Sequence, residues 1–93
     1  MENIKIIGLV EIFETKAPWT YVKIPKKITT NLFGKDTRAF IPITVKLNKT
    51  VWDTYLFPYG DGTYFIALKA EIRKKENIQL GEKIKLSFSI KGL

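Results

Sequence analysis

Hydrophobic and polar residues alternate along most of the chain, which is the pattern of β-strands that bury one face. The clearest case is residues 83–90 (KIKLSFSI), in which isoleucine, leucine and phenylalanine alternate with lysine and serine. The pattern predicts six strands, over residues 4–14, 19–24, 39–47, 50–57, 63–68 and 83–90. Six short strands in 93 residues favour a small β-barrel.

The segments between these strands carry turn and helix signals. Asn48 and Lys49 predict a tight hairpin turn, because asparagine tolerates positive φ. Residues 58–62 (PYGDG) form the densest turn signal. Residues 26–33 predict a short helix with Ile28 and Leu32 on one face, and residues 70–78 predict a short, well-solvated helix with charged residues around Ile72 and Ile78. Gly8 stands inside the first strand, where we expect a bulge or a barrel corner.

Pro42 affects how the third strand is expected to pair. Proline lacks a backbone N–H and cannot donate to a strand ladder, so we expect an edge strand or a bulge there. A free edge invites pairing, and we therefore expect the barrel to form a homodimer or to dock to a partner.

Length and composition exclude several classes of function. A chain of this size predicts one domain, spanning residues 1–93. The chain has no cysteine and no histidine, which removes disulfides, thiolate nucleophiles, imidazole bases and the usual zinc ligands. Its apolar runs are too short to cross a membrane, and it begins with no secretory leader. We expect a cytoplasmic protein with no membrane partner, no metal and no cofactor.

Acidic catalysis is the one enzymatic alternative that we considered in detail. Asp53 lies in the middle of a predicted strand, with Asp61 in the next turn and Glu71 after the following strand. Carboxylate catalysis needs two acids in one enclosed cleft. A strand acid more commonly pairs with a lysine across the strand. We therefore predict no catalytic residue and a protein that is not an enzyme.

The net charge of +7 favours an anionic partner, and nucleic acid is the leading hypothesis. The predicted contacts are two basic clusters, Lys26 with Lys27 and Arg73 with Lys74 and Lys75. An A/T-rich genome or selection for solubility would produce the same excess of lysine. Arg73 could alternatively form a structural ion pair with Glu82 or Asp53.

Twelve aromatic residues support a second hypothesis, a module that binds a protein or a small ligand. Its predicted contacts are Tyr55, Phe57 and Tyr59, which surround the end of the fourth strand. Trp19, Tyr21 and Lys23 share a strand face that could stack unpaired bases. The competing expectation places Trp19, Trp52 and Phe65 in the core, because a small domain needs their area.

Several short motifs occur in a characteristic order. They are WTYVKIP at residues 19–25, PITV at 42–45, WDTYLFPYGDGTY at 52–64, IRK at 72–74 and IQLGEKI at 78–84. In this order the chain resembles the prokaryotic domain-of-unknown-function family nineteen-oh-five, over nearly its whole length. The resemblance implies a six-stranded, AbrB-like barrel of the double-split or swapped-hairpin type, with one or two short helices. It implies no activity and no site residues.

Overall fold

Six strands and two short helices make up the computed structural model, which describes residues 3–13, 19–28, 40–59 and 63–91. The strands are β1 (Ile4–Ile12), β2 (Thr20–Lys23), β3 (Ile41–Leu47), β4 (Thr50–Pro58), β5 (Tyr64–Ala67) and β6 (Lys83–Ile90). Helix α1 is described at residues 26–28, and α2 is Ala70–Lys75. The expected continuation of α1 over 29–33 and the tip of the turn at 60–62 lie outside the described residues.

The strands form a closed antiparallel barrel in the order β1-β2-β5-β4-β3-β6, so the predicted fold class is confirmed. The barrel closes at β1, which pairs with β6 over residues 4–9 and with β2 over residues 10–12. Each strand therefore has a neighbour on both sides.

The expectation that Pro42 marks an edge strand is wrong. Strand β3 lies between β4 and β6. Pro42 is tolerated because it lies just beyond the last residue pair between β3 and β6, Ile43↔Ile90. Its carbonyl still accepts a hydrogen bond from Lys91 N–H at 3.0 Å. The missing N–H therefore falls at the end of the ladder.

Alternate residues of every strand fill the barrel. The buried apolar residues of this inner face are Ile6, Val10, Val22, Ile24, Ile43, Val45, Leu47, Leu56, Tyr64, Ile66, Leu86 and Phe88, and Ile4, Ile41, Trp52, Ile84 and Ile90 pack against them while partly buried. Ile72 on α2 and Ile78 after it join the same cluster. The core faces that alternation predicts for the third and sixth strands are thus confirmed.

Gly8 allows two strands to approach closely inside the barrel. A Cβ atom at Gly8 would lie 2.1 Å from Cγ1 of Val22, which is fully buried. The β1–β6 register runs through Gly8 without a bulge, and β1 changes its partner two residues later. Gly8 therefore lies close to a corner of the barrel, which is one of the two roles expected for it; the other was a bulge.

Among the described residues, a positive φ occurs in two connections, at Asn48 between β3 and β4 and at Asn77 and Gly81 between α2 and β6. Asn48 (φ 56°) forms the β3–β4 turn as predicted. Asn77 (φ 53°) ends α2, where Ile78 N–H bonds to the Arg73 carbonyl in a Schellman arrangement. Glu76 then accepts hydrogen bonds from the side chains of Asn48 and Thr50, which attaches the end of α2 to the hairpin turn.

Candidate functional site

The strand order divides the outer surface of the barrel into two halves of different chemistry. Strands β2, β5 and β4 are consecutive neighbours, and half of their outward residues are aromatic: Tyr21, Phe65, Tyr55 and Phe57. Strands β3, β6 and β1 form the other half, and their outward residues include most of the strand lysines.

The first half carries a continuous set of aromatic rings, which we call the aromatic wall. It consists of Phe13, Trp19, Tyr21, Phe40, Tyr55, Phe57, Tyr59 and Phe65. Phe57 and Phe65 are direct cross-strand partners and stack with their centroids 5.5 Å apart. Phe13 stacks on Tyr21 at 4.2 Å, and Tyr21 meets Phe65 edge-on at 5.4 Å.

Three rings of the aromatic wall are open to solvent and converge on one residue. Trp19, Phe40 and Tyr55 are 46%, 61% and 48% exposed. Their ring centroids lie 5.4, 5.1 and 6.4 Å from that of Phe57. The structure therefore presents three exposed aromatic rings around a single half-buried ring, which makes this surface a candidate for binding.

The three aromatics expected in the core have different positions. Phe65 is buried, as expected, but on the outer face of β5 within the aromatic wall. Trp52 is partly buried against the core, as expected, and its Nε1 has no hydrogen-bond partner among the described residues. The expectation for Trp19 is wrong, because this residue lies on the outer surface just before β2 and is 46% exposed.

The predicted aromatic residues lie together on this wall. Tyr55 and Phe57 are alternate outward residues of β4, and Tyr59 follows the end of that strand. The Tyr59 hydroxyl lies 3.3 Å from that of Tyr21, and Lys23 Nζ lies 4.0 Å from the Tyr59 ring centroid. Burial raises the pKa of Tyr21, and the bond to Tyr59 and the charge of Glu11 raise it further. Tyr21 is therefore a neutral hydroxyl at physiological pH.

Basic groups border the aromatic wall at the start of α2. Trp19, Phe57, Lys69 and Arg73 line a groove of about 320 Å³. Arg73 donates from Nε to the Leu68 carbonyl at 3.1 Å, which fixes the guanidinium beside the groove. Of its two expected ion-pair partners, Asp53 bonds to Lys91 and Glu82 accepts from Gln79 N–H.

The two predicted basic clusters are not brought together. Lys26 and Lys27 are exposed in α1, which follows the end of β2. Lys74 and Lys75 are exposed in α2, which follows the end of β5. Because β2 and β5 are antiparallel neighbours, these two segments leave the strand pair at opposite ends. A single basic surface formed from all five residues is therefore not present.

A different group of lysines lies together on the other half of the barrel. Lys5 on β1 and Lys46 on β3 are both register partners of Ser87 on β6, and Lys85 lies two residues before Ser87. With Ile7, Pro25 and Ile28 they line a depression of about 730 Å³, which we call the lysine groove. No acidic side chain is among its described lining, and none of the three lysines forms an ion pair with a described residue.

The sequence reasoning missed the lysine groove for a specific reason. Alternation already placed Lys46 and Lys85 on outer faces, but nothing in the sequence shows that β6 lies between β1 and β3. Phe13 was missed because it follows the last paired residue of β1 and joins the aromatic wall only through strand order.

The acidic residues considered for catalysis do not form a described cleft. Asp53 is exposed and accepts hydrogen bonds from Lys91 Nζ at 3.0 Å and Thr44 Oγ1 at 2.8 Å, and these bonds lower its pKa. Glu71 lies on α2, and Asp61 is outside the described residues. Within the described ranges no three acidic side chains are grouped to hold a metal ion, and no helix there could span a membrane.

The comparison with protein families matches most of the chain. The profile of a family described as "Domain of unknown function (DUF1905)" matches residues 9–88, which include all six strands in whole or in part. No curated protein sequence matches the chain.

Proposed function

Because the chain belongs to the DUF1905 family, whose description assigns no activity, we propose a function from the surface of its barrel. We propose that the protein is a non-catalytic module that binds single-stranded nucleic acid on the aromatic wall. The observation that carries the proposal is the convergence of the exposed rings of Trp19, Phe40 and Tyr55 on Phe57.

Exposed rings of this kind suit unpaired bases. Each base has a flat π-face, and stacking on an aromatic side chain contributes about 1–3 kcal/mol per base. Bases inside a duplex are already stacked and are not accessible to such rings. The aromatic wall therefore favours a single strand over a duplex, with little dependence on base sequence.

Positively charged side chains at the edge of the aromatic wall complement the phosphates of the same nucleic-acid strand. Lys23 lies over the Tyr59 ring, and Lys69 and Arg73 line the groove beside Trp19 and Phe57. The net charge of +7 adds long-range attraction for a polyanion. The basic residues that contribute directly are thus Arg73 with Lys23 and Lys69, whereas Lys26, Lys27, Lys74 and Lys75 contribute to the general field.

A protein partner is the rival occupant, because tryptophan, tyrosine and arginine are also the usual hot-spot residues of protein interfaces. The two occupants differ in the response to salt. Phosphate contacts release counterions and weaken steeply as salt rises, whereas burial of aromatic rings against an apolar protein surface does not.

The test is fluorescence anisotropy with a labelled single strand and the matching duplex, at ~50 and ~200 mM salt. We expect salt-sensitive binding that prefers the single strand, and about tenfold weaker binding for Trp19→Ala and for Tyr55→Ala. Leu80→Ala is the control, because Leu80 is also an exposed apolar residue, at 62%, but lies in the turn before β6.

Two results would overturn the proposal. One is the absence of single-strand binding at low salt, which would leave the aromatic wall to a protein partner. The other is binding that neither wall variant weakens, which would place the nucleic acid elsewhere on the surface. Circular dichroism of each variant shows that the barrel is intact, as we expect for substitutions at exposed side chains.

A further inference from the structure

We infer that the lysine groove is a second segment of the nucleic-acid site, which holds the phosphate backbone of a strand after it leaves the aromatic wall. This inference rests on the proposed function. It adds a surface on the opposite half of the barrel and predicts that a long strand makes contacts that a short one cannot make.

A basic path connects the two surfaces. Lys23, beside the Tyr59 ring, also lines a cavity of about 430 Å³ with Lys26, Ile7 and Pro25. Ile7 and Pro25 in turn line the lysine groove, so the cavity and the groove adjoin. Glu11 is the acidic residue of the connecting cavity, and two lysines accompany it there.

The three lysines of the lysine groove favour binding of an anion. Lys5 and Lys46 flank Ser87 in one row across β1, β6 and β3, so their Cα atoms are about 10 Å apart by the usual strand spacing. Lys85 lies on the same outer face. This separation is about one Debye length in ~0.1 M salt, so the lysines repel one another only weakly, whereas an anion held between them is attracted by all three at shorter range.

The same half of the barrel contains a lysine that is already neutralised. Lys91 forms an ion pair with Asp53, 3.0 Å apart. Lys5, Lys46 and Lys85 have no such partner among the described residues, although Ser87, Asn3 and Asn48 add hydrogen-bonding groups beside them. Ammonium, hydroxyl and amide groups together match the non-bridging oxygens of phosphodiesters.

The test is a comparison of two lengths of labelled single strand, about 4 and about 12 nucleotides, within the range of site sizes for small barrels. The variant is Lys5→Gln with Lys46→Gln and Lys85→Gln, which removes three charges at outward positions. The control variant is Lys49→Gln with Lys74→Gln and Lys75→Gln, which makes the same change of net charge outside the groove.

We expect the groove variant to weaken binding of the long strand and to reduce the slope of log affinity against log salt by about two. Its binding of the short strand should match that of the control variant. The inference is overturned if the long strand binds no better than the short one, or if both triple variants weaken it equally.

Failure of the proposed function gives a different result. In that case the short strand shows no binding that depends on Trp19 or Tyr55. If the long strand then still loses affinity only in the groove variant, the lysine groove binds nucleic acid alone, and the path from the aromatic wall is wrong.

Discussion

Tyr55 and Phe65 lie on the same outer surface of the barrel but differ in their exposure to solvent. Tyr55 is half-exposed, whereas Phe65 is 6% exposed and contacts the rings of Trp19, Tyr21 and Phe57. The aromatic wall thus has a buried layer that fixes β2, β5 and β4 to one another and an open layer that is available to a ligand.

This difference in exposure predicts that Phe65 contributes mainly to stability and Tyr55 mainly to binding. We expect Phe65→Ala to lower the free energy of unfolding by about 3–5 kcal/mol, as for other buried phenylalanines. Tyr55→Ala should lower it by less than about 1 kcal/mol, because the side chain is already half in solvent. Urea unfolding measures both. Equal losses of stability would contradict the division into two layers.

Gly8 shows how a single residue limits the barrel. A methyl group there would overlap Cγ1 of Val22, a buried and β-branched side chain that cannot easily rotate away. We expect Gly8→Ala to lower the free energy of unfolding by about 1–3 kcal/mol through overpacking.

The control for this prediction is a double-mutant cycle with Val22→Ala. Removing the two valine methyl groups makes room for the new Cβ, so Gly8→Ala should have a smaller effect in that background. If its effect is the same with either residue at position 22, the close contact with Val22 is not the reason for glycine.

Helix α2 is attached to the β3–β4 hairpin by one carboxylate. Glu76 accepts hydrogen bonds from Thr50 Oγ1 and, at 2.7 Å, from Asn48 Nδ2, and these bonds lower its pKa below the ordinary value of 4.5. A group with a lowered pKa in the folded state stabilises it above the unfolded pKa, and this contribution is lost as the pH falls through the folded pKa.

We therefore expect Glu76→Gln to be less stable than the wild type at neutral pH, and the difference to shrink as the pH falls below about 4.5. Thermal unfolding across that range measures the effect. Glu71→Gln, an exposed position on the same helix, is the control and should show no comparable change. A difference between wild type and Glu76→Gln that stays constant with pH would contradict the assigned role.

At the level of elements, local sequence patterns predicted where the strands lie in the chain but not which strands are neighbours in the barrel. Alternation located all six strands and the inner faces of β3 and β6, and Asn48 marked its turn, because these depend on neighbouring residues. Which strands lie side by side depends on long-range pairing, and the expectation of an edge strand at Pro42 was wrong for that reason. Its missing N–H matters only relative to β6, whose position no local pattern reveals.

Across the whole molecule, closure of the barrel creates the two surfaces on which the proposed function rests. The order β1-β2-β5-β4-β3-β6 collects aromatic strands on one side and lysine-bearing strands on the other. The sequence indicated Tyr55, Phe57 and Tyr59 as a group, because they are close in the chain. It could not add Trp19 and Phe40 to them, or collect Lys5, Lys46 and Lys85, because those residues meet only in three dimensions.

Stacking of bases on the aromatic wall is the central claim, and the two tryptophans of the chain test it directly. In Trp52→Phe the half-exposed Trp19 is the one remaining tryptophan, and in Trp19→Phe the partly buried Trp52 is. Titration of each variant with an unlabelled single strand is followed by tryptophan emission. The account predicts saturable quenching in Trp52→Phe and little change in Trp19→Phe. Binding of the strand without any change in Trp19 emission would contradict it.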